Sequence, residues 1–323
     1  MGSIFMDLGL KEFLRDKDFS IQAEIIELEE KFMIARVEND FVIFVNEEKY
    51  LGPMTMAVED IDDFRTIKIK EGDTVSFKNN HLILSKEKDI DYSDVEVIDI
   101  RLTEKMEVFS EQIVEKNLLH LEEFLYRYGG RTGMIPIIFN LGDYIKELKP
   151  ASNIKMYNNM YTSLIYPRFI SLFEKLIQGR FDKVEFCTRD IIEFGTENNE
   201  HSNGFLLGLL TSFVYGGQSY DIDKRGIIAL NELLMNWIDE KTENLYKNIL
   251  IEAIDGGSHN IISSVVIKIV SESDFDSLDK DLKQLLLFDR FSGTDIIGGI
   301  YMGIKLLEQN RFRESLKNLC QVE

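Results

Sequence analysis

The stretch Ile21 to Val45, IQAEIIELEEKFMIARVENDFVIFV, decides the fold of the first third of the chain. It holds three short apolar runs, at residues 21–26, 32–37 and 41–45, rich in the branched and aromatic side chains that suit a pleated surface. Asn39-Asp40 separates the last two, a pair chemically suited to a turn. Working outward, similar runs follow at 54–58, 66–69, 74–77, 82–84 and 95–100, with breaks at Asn46-Glu47-Glu48, Glu71-Gly72-Asp73 and Asn79-Asn80. Thr66-Ile67-Lys68-Ile69-Lys70 alternates cleanly, one face apolar and one charged. Many short strands at close spacing predict a small β-barrel or sandwich over residues 1–101.

After Arg101 the period changes from two to that of a helix. Thr103 is placed to cap a helix running to about Tyr126, with Met106, Phe109, Ile113, Leu118, Leu121 and Leu125 forming its apolar stripe. Gly129-Gly130-Arg131-Thr132-Gly133 ends it, and Pro136 is expected to delay the next helix. Further helices are expected at 157–178 (bent or split by Pro167), 183–192, 204–215, 221–239, 242–254, 260–271, 279–287, 295–308 and 311–319. The reading is an α+β chain: a β-rich domain over 1–101, then a larger, mainly helical domain over 102–323 with Gly-containing loop-to-helix junctions.

Composition narrows the functions. A chain of 323 residues exceeds the usual size of one compact core, which predicts two domains. The formal charge of -20 repels phosphate backbones and anionic lipid, so neither nucleic acid nor a membrane surface is an expected partner. Cys187 and Cys320 are the only cysteines, which fits a reducing, cytoplasmic setting. The first 17 residues lack the apolar run of a signal peptide, and no segment has the length of an apolar membrane span. The four histidines, His81, His120, His201 and His259, have no paired metal-ligand spacing, so neither a metal nor another cofactor is expected. Walker, dinucleotide-binding, nucleophile-elbow and HExxH patterns are absent from the sequence.

What remains is a set of polar junctions at helix starts, where unpaired backbone N–H groups would face an anion. Ser292-Gly293-Thr294-Asp295 adds two hydroxyls and a carboxylate that either caps the helix or accepts from an amide N–H. Gly298, Gly299 and Gly303 follow, implying close backbone packing, since each costs about 1 kcal/mol against Ala in a helix. An earlier junction, Gly195 to Gly204, contains His201, Ser202 and Asn203, and its Ser202…Gly208 echoes Ser292…Gly298. His201 could serve as an acid or base near neutral pH, or is a solvated loop residue. Arg131, between glycines, is the best-placed cation for a carboxylate or phosphate, or else a solvent-facing turn residue. Gly256-Gly257-Ser258-His259-Asn260 is a third such loop, read as a helix cap. The candidate substrate-binding residues are therefore Ser292, Gly293, Thr294, Asp295, Ser202, Asn203 and Arg131.

Three stretches taken in order resemble the AllH family of oxamate carbamoyltransferase subunits. Leu51-Gly52-Pro53-Met54-Thr55-Met56-Ala57-Val58 with Glu71-Gly72-Asp73 is similar to its N-terminal β region. Ile191 to Leu210 aligns without gaps on its central Gly-rich segment, matching at Gly195, Phe205, Leu206 and Gly208. Leu285 to Ile304 resembles its C-terminal SG-x-D loop and helix through Ser292, Gly293 and Asp295. The central TPSGDD core reads Asn199-Glu200-His201-Ser202-Asn203-Gly204 here, without the two acidic residues. The resemblance implies a subunit of a hetero-oligomeric enzyme that moves a carbamoyl group between oxamate and phosphate, linking oxalurate to carbamoyl phosphate in allantoin catabolism. A conventional single-chain transcarbamylase is disfavoured: of its Ser-Thr-Arg-Thr loop only Arg131-Thr132 occurs. The altered core motivates one alternative, a non-catalytic scaffold or regulatory subunit, and the β-rich domain another, a binding protein for a small anionic metabolite.

Overall fold

Alternation governs the N-terminal strands. In β2 (Ile21–Leu28) the residues Ile21, Ala23 and Ile25 are buried while Gln22 and Glu24 face water, the pattern of a sheet packed on one face. A computed structural model of the protein describes residues 3–16, 20–101, 110–129, 135–147, 160–193, 200–236, 244–271, 274–287 and 293–319. It divides into two units, one of residues 1–102 with 257–261, the other of residues 103–256 with 262–323.

The first unit is α+β in its own right. Besides β2 it contains β1 (Ile4–Asp7), α1 (Leu8–Asp16), β3 (Phe32–Val37), β4 (Asp40–Val45), β5 (Thr55–Val58), β6 (Thr74–Lys78), β7 (His81–Ile83), β8 (Asp89–Asp91) and β9 (Glu96–Ile98). These join in one nine-stranded sheet of order β8-β7-β6-β2-β3-β4-β5-β1-β9 that curls into a half-barrel. Most neighbours are antiparallel; β4 with β5 and β1 with β9 are parallel. Asn79 and Asn80, both at positive φ, form the two-residue turn between β6 and β7. Inside the curl, Met33, Phe44, Phe64, Phe77 and Leu82 form the core, Phe44 and Phe77 stacking at 5.9 Å.

Sequence and structure part at several places. Thr66 to Lys70 is not a strand: a single 3-10 turn, Phe64–Thr66, capped by Asp63, opens it. Gly72 and Asp73, just beyond it, bond the Ile25 backbone and lead into β6, which pairs with β2. The N-terminal β1, unread in the sequence, is held between β5 and β9. Asp7 at its end is buried, and its carboxylate accepts from the N–H groups of Leu10 and Met54, fixing the start of α1 and the approach to β5 together. Burial raises the Asp7 carboxyl above the usual range, and these backbone donors oppose the rise.

The segment Gly257–Ile261 is more than a capping loop, because it belongs with this N-terminal unit. Asn260 N–H donates to the Leu51 carbonyl at 2.8 Å, and His259 Nδ1 lies 3.2 Å from the Tyr50 carbonyl. A Cβ on Gly52 would stand 2.1 Å from that imidazole, so only glycine lets the ring close against the backbone.

The second unit is helical throughout its described residues. It comprises α2 (Glu111–Tyr128), α3 (Ile135–Glu147), α4 (Met160–Gln178), α5 (Val184–Glu193), α6 (Glu200–Ser219), α7 (Lys224–Met235), α8 (Asn244–Ala253), α9 (Asn260–Ser271, its first two residues grouping with the N-terminal unit), α10 (Phe275–Leu286), α11 (Gly293–Leu307) and α12 (Asn310–Leu319). The predicted cap Thr103 lies outside the described residues; Ser110 caps α2, its hydroxyl accepting from Gln112 N–H. Pro136 does not delay α3 but occupies its second position, where no intrahelical donor is needed. Pro167 does not divide α4, and the Arg168 guanidinium donates to the nearby Leu164 carbonyl. The predicted loop ahead of Gly204 is shorter than expected, because α6 begins at Glu200. Among the described residues no helix is long and apolar enough to cross a membrane.

Burial holds the His259 imidazole at a pKa of about 4, against a weaker opposing effect of the Tyr50 carbonyl. The unfolded chain, with an ordinary value of 6.5, then binds more protons between these limits, so stability is full above pH 6.5 and falls as pH drops toward 4. Urea unfolding at pH 7 and 4.5 is expected to show a loss from this residue of roughly 2 kcal/mol. The His259→Gln variant, less stable at pH 7, should lack that part of the acid loss; equal losses in both proteins would refute the assignment.

Candidate functional site

Two helix starts far apart in sequence meet in the helical unit. Along α6 and α11 the contacts rise in step: His201 meets Asp295, the Cβ position of Gly299 lies 2.0 Å from the Phe205 carbonyl oxygen, Gly303 abuts Ser212, and Gly216 abuts Ile304 and Leu307. Residue numbers increase together on both helices, so they run parallel with backbones touching. The helix glycines predicted to signal close packing do so here, at the expense of intrinsic helix stability. Parallel packing also sets both N-termini, with their partial positive charges, side by side.

At that end lie His201, Ser202 and Asn203 in the first turn of α6, and Gly293, Thr294 and Asp295 in the first turn of α11. Asp295 is inside its helix rather than at the cap, and its side chain is 1% exposed. Its Oδ2 stands 2.6 Å from Nδ1 of His201, whose side chain is 39% exposed. A buried carboxylate is costly unless hydrogen-bonded, and the imidazole and two helix dipoles all favour it here. With carboxylate on Nδ1, the imidazole is held in one tautomer and proton exchange falls to Nε2.

Two other His–Asp pairs provide a contrast. His81 with Asp89 at 2.9 Å and His120 with Asp279 at 2.7 Å have carboxylates that are exposed and partly exposed respectively. His120 also stacks on Phe275 at 4.2 Å, an arrangement that fastens α2 to α10. The His201–Asp295 pair differs in joining a closed carboxylate to a partly open imidazole.

Beside the dyad, Ser202 Oγ and Asn203 Oδ1 are buried without a hydrogen-bond partner. Unsatisfied buried polar atoms are uncommon, and a ligand, an ion or an ordered water can complete their bonding; others lie elsewhere in the described residues, at Tyr220 Oη and Asn231 Oδ1. Phe205, one half-turn on, is buried and packs edge-to-face on Phe169 at 4.8 Å, anchoring this end of α6 in the core. Gly293 is required by space, since a Cβ there would meet the Leu285 carbonyl oxygen at 1.9 Å.

Of the seven residues predicted from sequence, Ser202, Asn203, Gly293, Thr294 and Asp295 fall in these two first turns. Ser292 and Arg131 lie outside the described residues. Of the two readings of His201, the solvated loop residue is corrected: it is helical and bonded to Asp295. The signal that could have found it is the echo between Ser202…Gly208 and Ser292…Gly298, two similar helices that prove to pack together. Among the described residues no group of three His, Cys, Asp or Glu side chains could hold a metal ion.

Two substitutions separate packing from binding. Gly299→Ala must push α6 and α11 apart and is expected to lower stability by about 1–3 kcal/mol in thermal or urea unfolding. Ser202→Ala removes an unsatisfied buried hydroxyl and should leave the unliganded protein as stable or up to about 1 kcal/mol more stable. A loss above that size for Ser202→Ala would show that the hydroxyl bonds within the fold. Compared with known proteins, the chain matches no family model, no curated protein and no solved structure.

Proposed function

We propose that this chain is a cytoplasmic subunit of an AllH-type carbamoyltransferase, acting with partner subunits on oxamate and carbamoyl phosphate to give oxalurate and phosphate. One observation carries the reading: the two stretches that resemble the family's Gly-rich segments, Ile191 to Leu210 and Leu285 to Ile304, contain the helix starts that meet around Asp295. Both substrates carry anionic oxygens and an NH₂ group. Paired helix N-termini suit the oxygens, while Ser202 Oγ and Asn203 Oδ1 supply acceptors for N–H. Catalysis in this reading rests on positioning and on stabilising the oxyanion that forms at the carbamoyl carbon. It needs neither a metal nor another cofactor.

A second reading, a non-catalytic scaffold, is favoured by a groove on α2 and α3. Leu119 and Tyr126 there are 56% and 81% exposed, and with Phe139, Glu122, Glu123 and Arg127 they offer a partly apolar surface to a partner subunit. Subunit omission separates the two readings. The purified chain is combined with the subunits that co-purify with it, and phosphate release from carbamoyl phosphate is followed with and without oxamate. The enzyme reading expects oxamate-dependent release that needs this chain and falls at least about 10²-fold in a Ser292→Ala, Asp295→Ala double variant. Release that needs the chain yet ignores that double variant supports the scaffold; release without the chain removes both readings.

A further inference from the structure

We infer that His201 is the proton acceptor of the transfer and that Asp295 is the positioning residue that orients it; this rests on the carbamoyltransferase reading. The amide nitrogen of oxamate is a poor nucleophile, because its lone pair is delocalised into the carbonyl. Attack becomes productive only when a base removes an N–H proton as the new bond forms. The dyad meets the geometric needs of such a base. Asp295 is closed from water and 2.6 Å from Nδ1, while the His201 side chain, in the first turn of α6, is 39% exposed.

The step balances as follows. The oxamate nitrogen bonds to the carbamoyl carbon, its proton passes to His201 Nε2, and the carbon–oxygen bond to phosphate breaks with its electron pair leaving on phosphate. Asp295 stabilises the imidazolium so formed, which then returns its proton to the departing phosphate. Ser202 Oγ and Asn203 Oδ1, buried without partners in the same helical turn, accept N–H bonds from the substrates and hold the nucleophile toward the carbon. In the central segment Asn203 and Gly204 stand where the family's core has its acidic pair, and His201, with the Asp295 carboxylate from the other helix, takes up the proton.

The test uses the assembled enzyme and the pH dependence of oxamate-dependent phosphate release. His201→Gln is expected to lower kcat by about 10²–10⁴-fold, with KM for carbamoyl phosphate little changed, and to abolish the acidic limb of the pH profile. Asp295→Asn should keep that limb but lower kcat at least about tenfold, since the amide no longer enforces the tautomer. Added imidazole should restore part of the activity of His201→Gly, which a merely structural histidine would not allow. An unchanged acidic limb in His201→Gln overturns the inference. A parallel ¹⁵N NMR measurement of the isolated chain reads the tautomer directly: His201 protonated on Nδ1 supports the dyad, and protonation on Nε2 alone overturns it. If the wild-type assembly shows no oxamate-dependent release, the reaction and this proton-transfer role both fall; the tautomer then reports whether the dyad itself still stands.

Discussion

Contact between the backbones of α6 and α11 is the constraint on which the helical unit depends. Gly208 and Gly299 leave no room for a single methyl group between the two helices. Closeness at this level forces a parallel pair to bring two like dipole ends together, an arrangement that is unfavourable without negative charge beside it. Asp295, closed from water at that end, supplies the charge. The carboxylate is therefore part of what makes the packing tolerable, and His201 is in turn held by the carboxylate. Structure and chemistry share one residue.

Much of the architecture was legible because local rules sufficed. Runs such as Phe32 to Val37 carry branched residues bounded by turn formers, and the helical stripes after residue 110 repeat at the right interval. Where reading failed, the deciding partner was distant or the local rule had two solutions. Thr66 to Lys70 alternates, yet alternation also serves an irregular segment that leans Ile67 and Ile69 on the core without joining a ladder. Ile4 to Asp7 is too short to declare itself, and its place is set by β5 and β9, read only later along the chain. Proline was given too much weight at Pro136, a first-turn site that requires no donor, and at Pro167 the split, one of the two outcomes expected there, does not occur.

The site was legible in part for the same reason. Ser202, Asn203, Gly293, Thr294 and Asp295 could be picked out as small polar residues at helix starts, since capping chemistry and ligand binding draw on the same residue types. Nothing local distinguishes a histidine that will meet a carboxylate from one that will face water. His201 acquires its meaning from Asp295, on a helix far along the chain, and only the parallel pairing of α6 with α11 brings them together.

The N-terminal unit contains a last feature with wider reach. His259 closes against Gly52, and Asn260 bonds the Leu51 backbone, although both come from well past the midpoint of the sequence. The half-barrel is thus not a contiguous cassette. Recombination that moved residues 1–102 into another gene would carry the sheet but leave an open seam at Gly52. The β-rich and helical parts are bound to be inherited together, and a sequence change at Gly52 must be answered hundreds of nucleotides downstream.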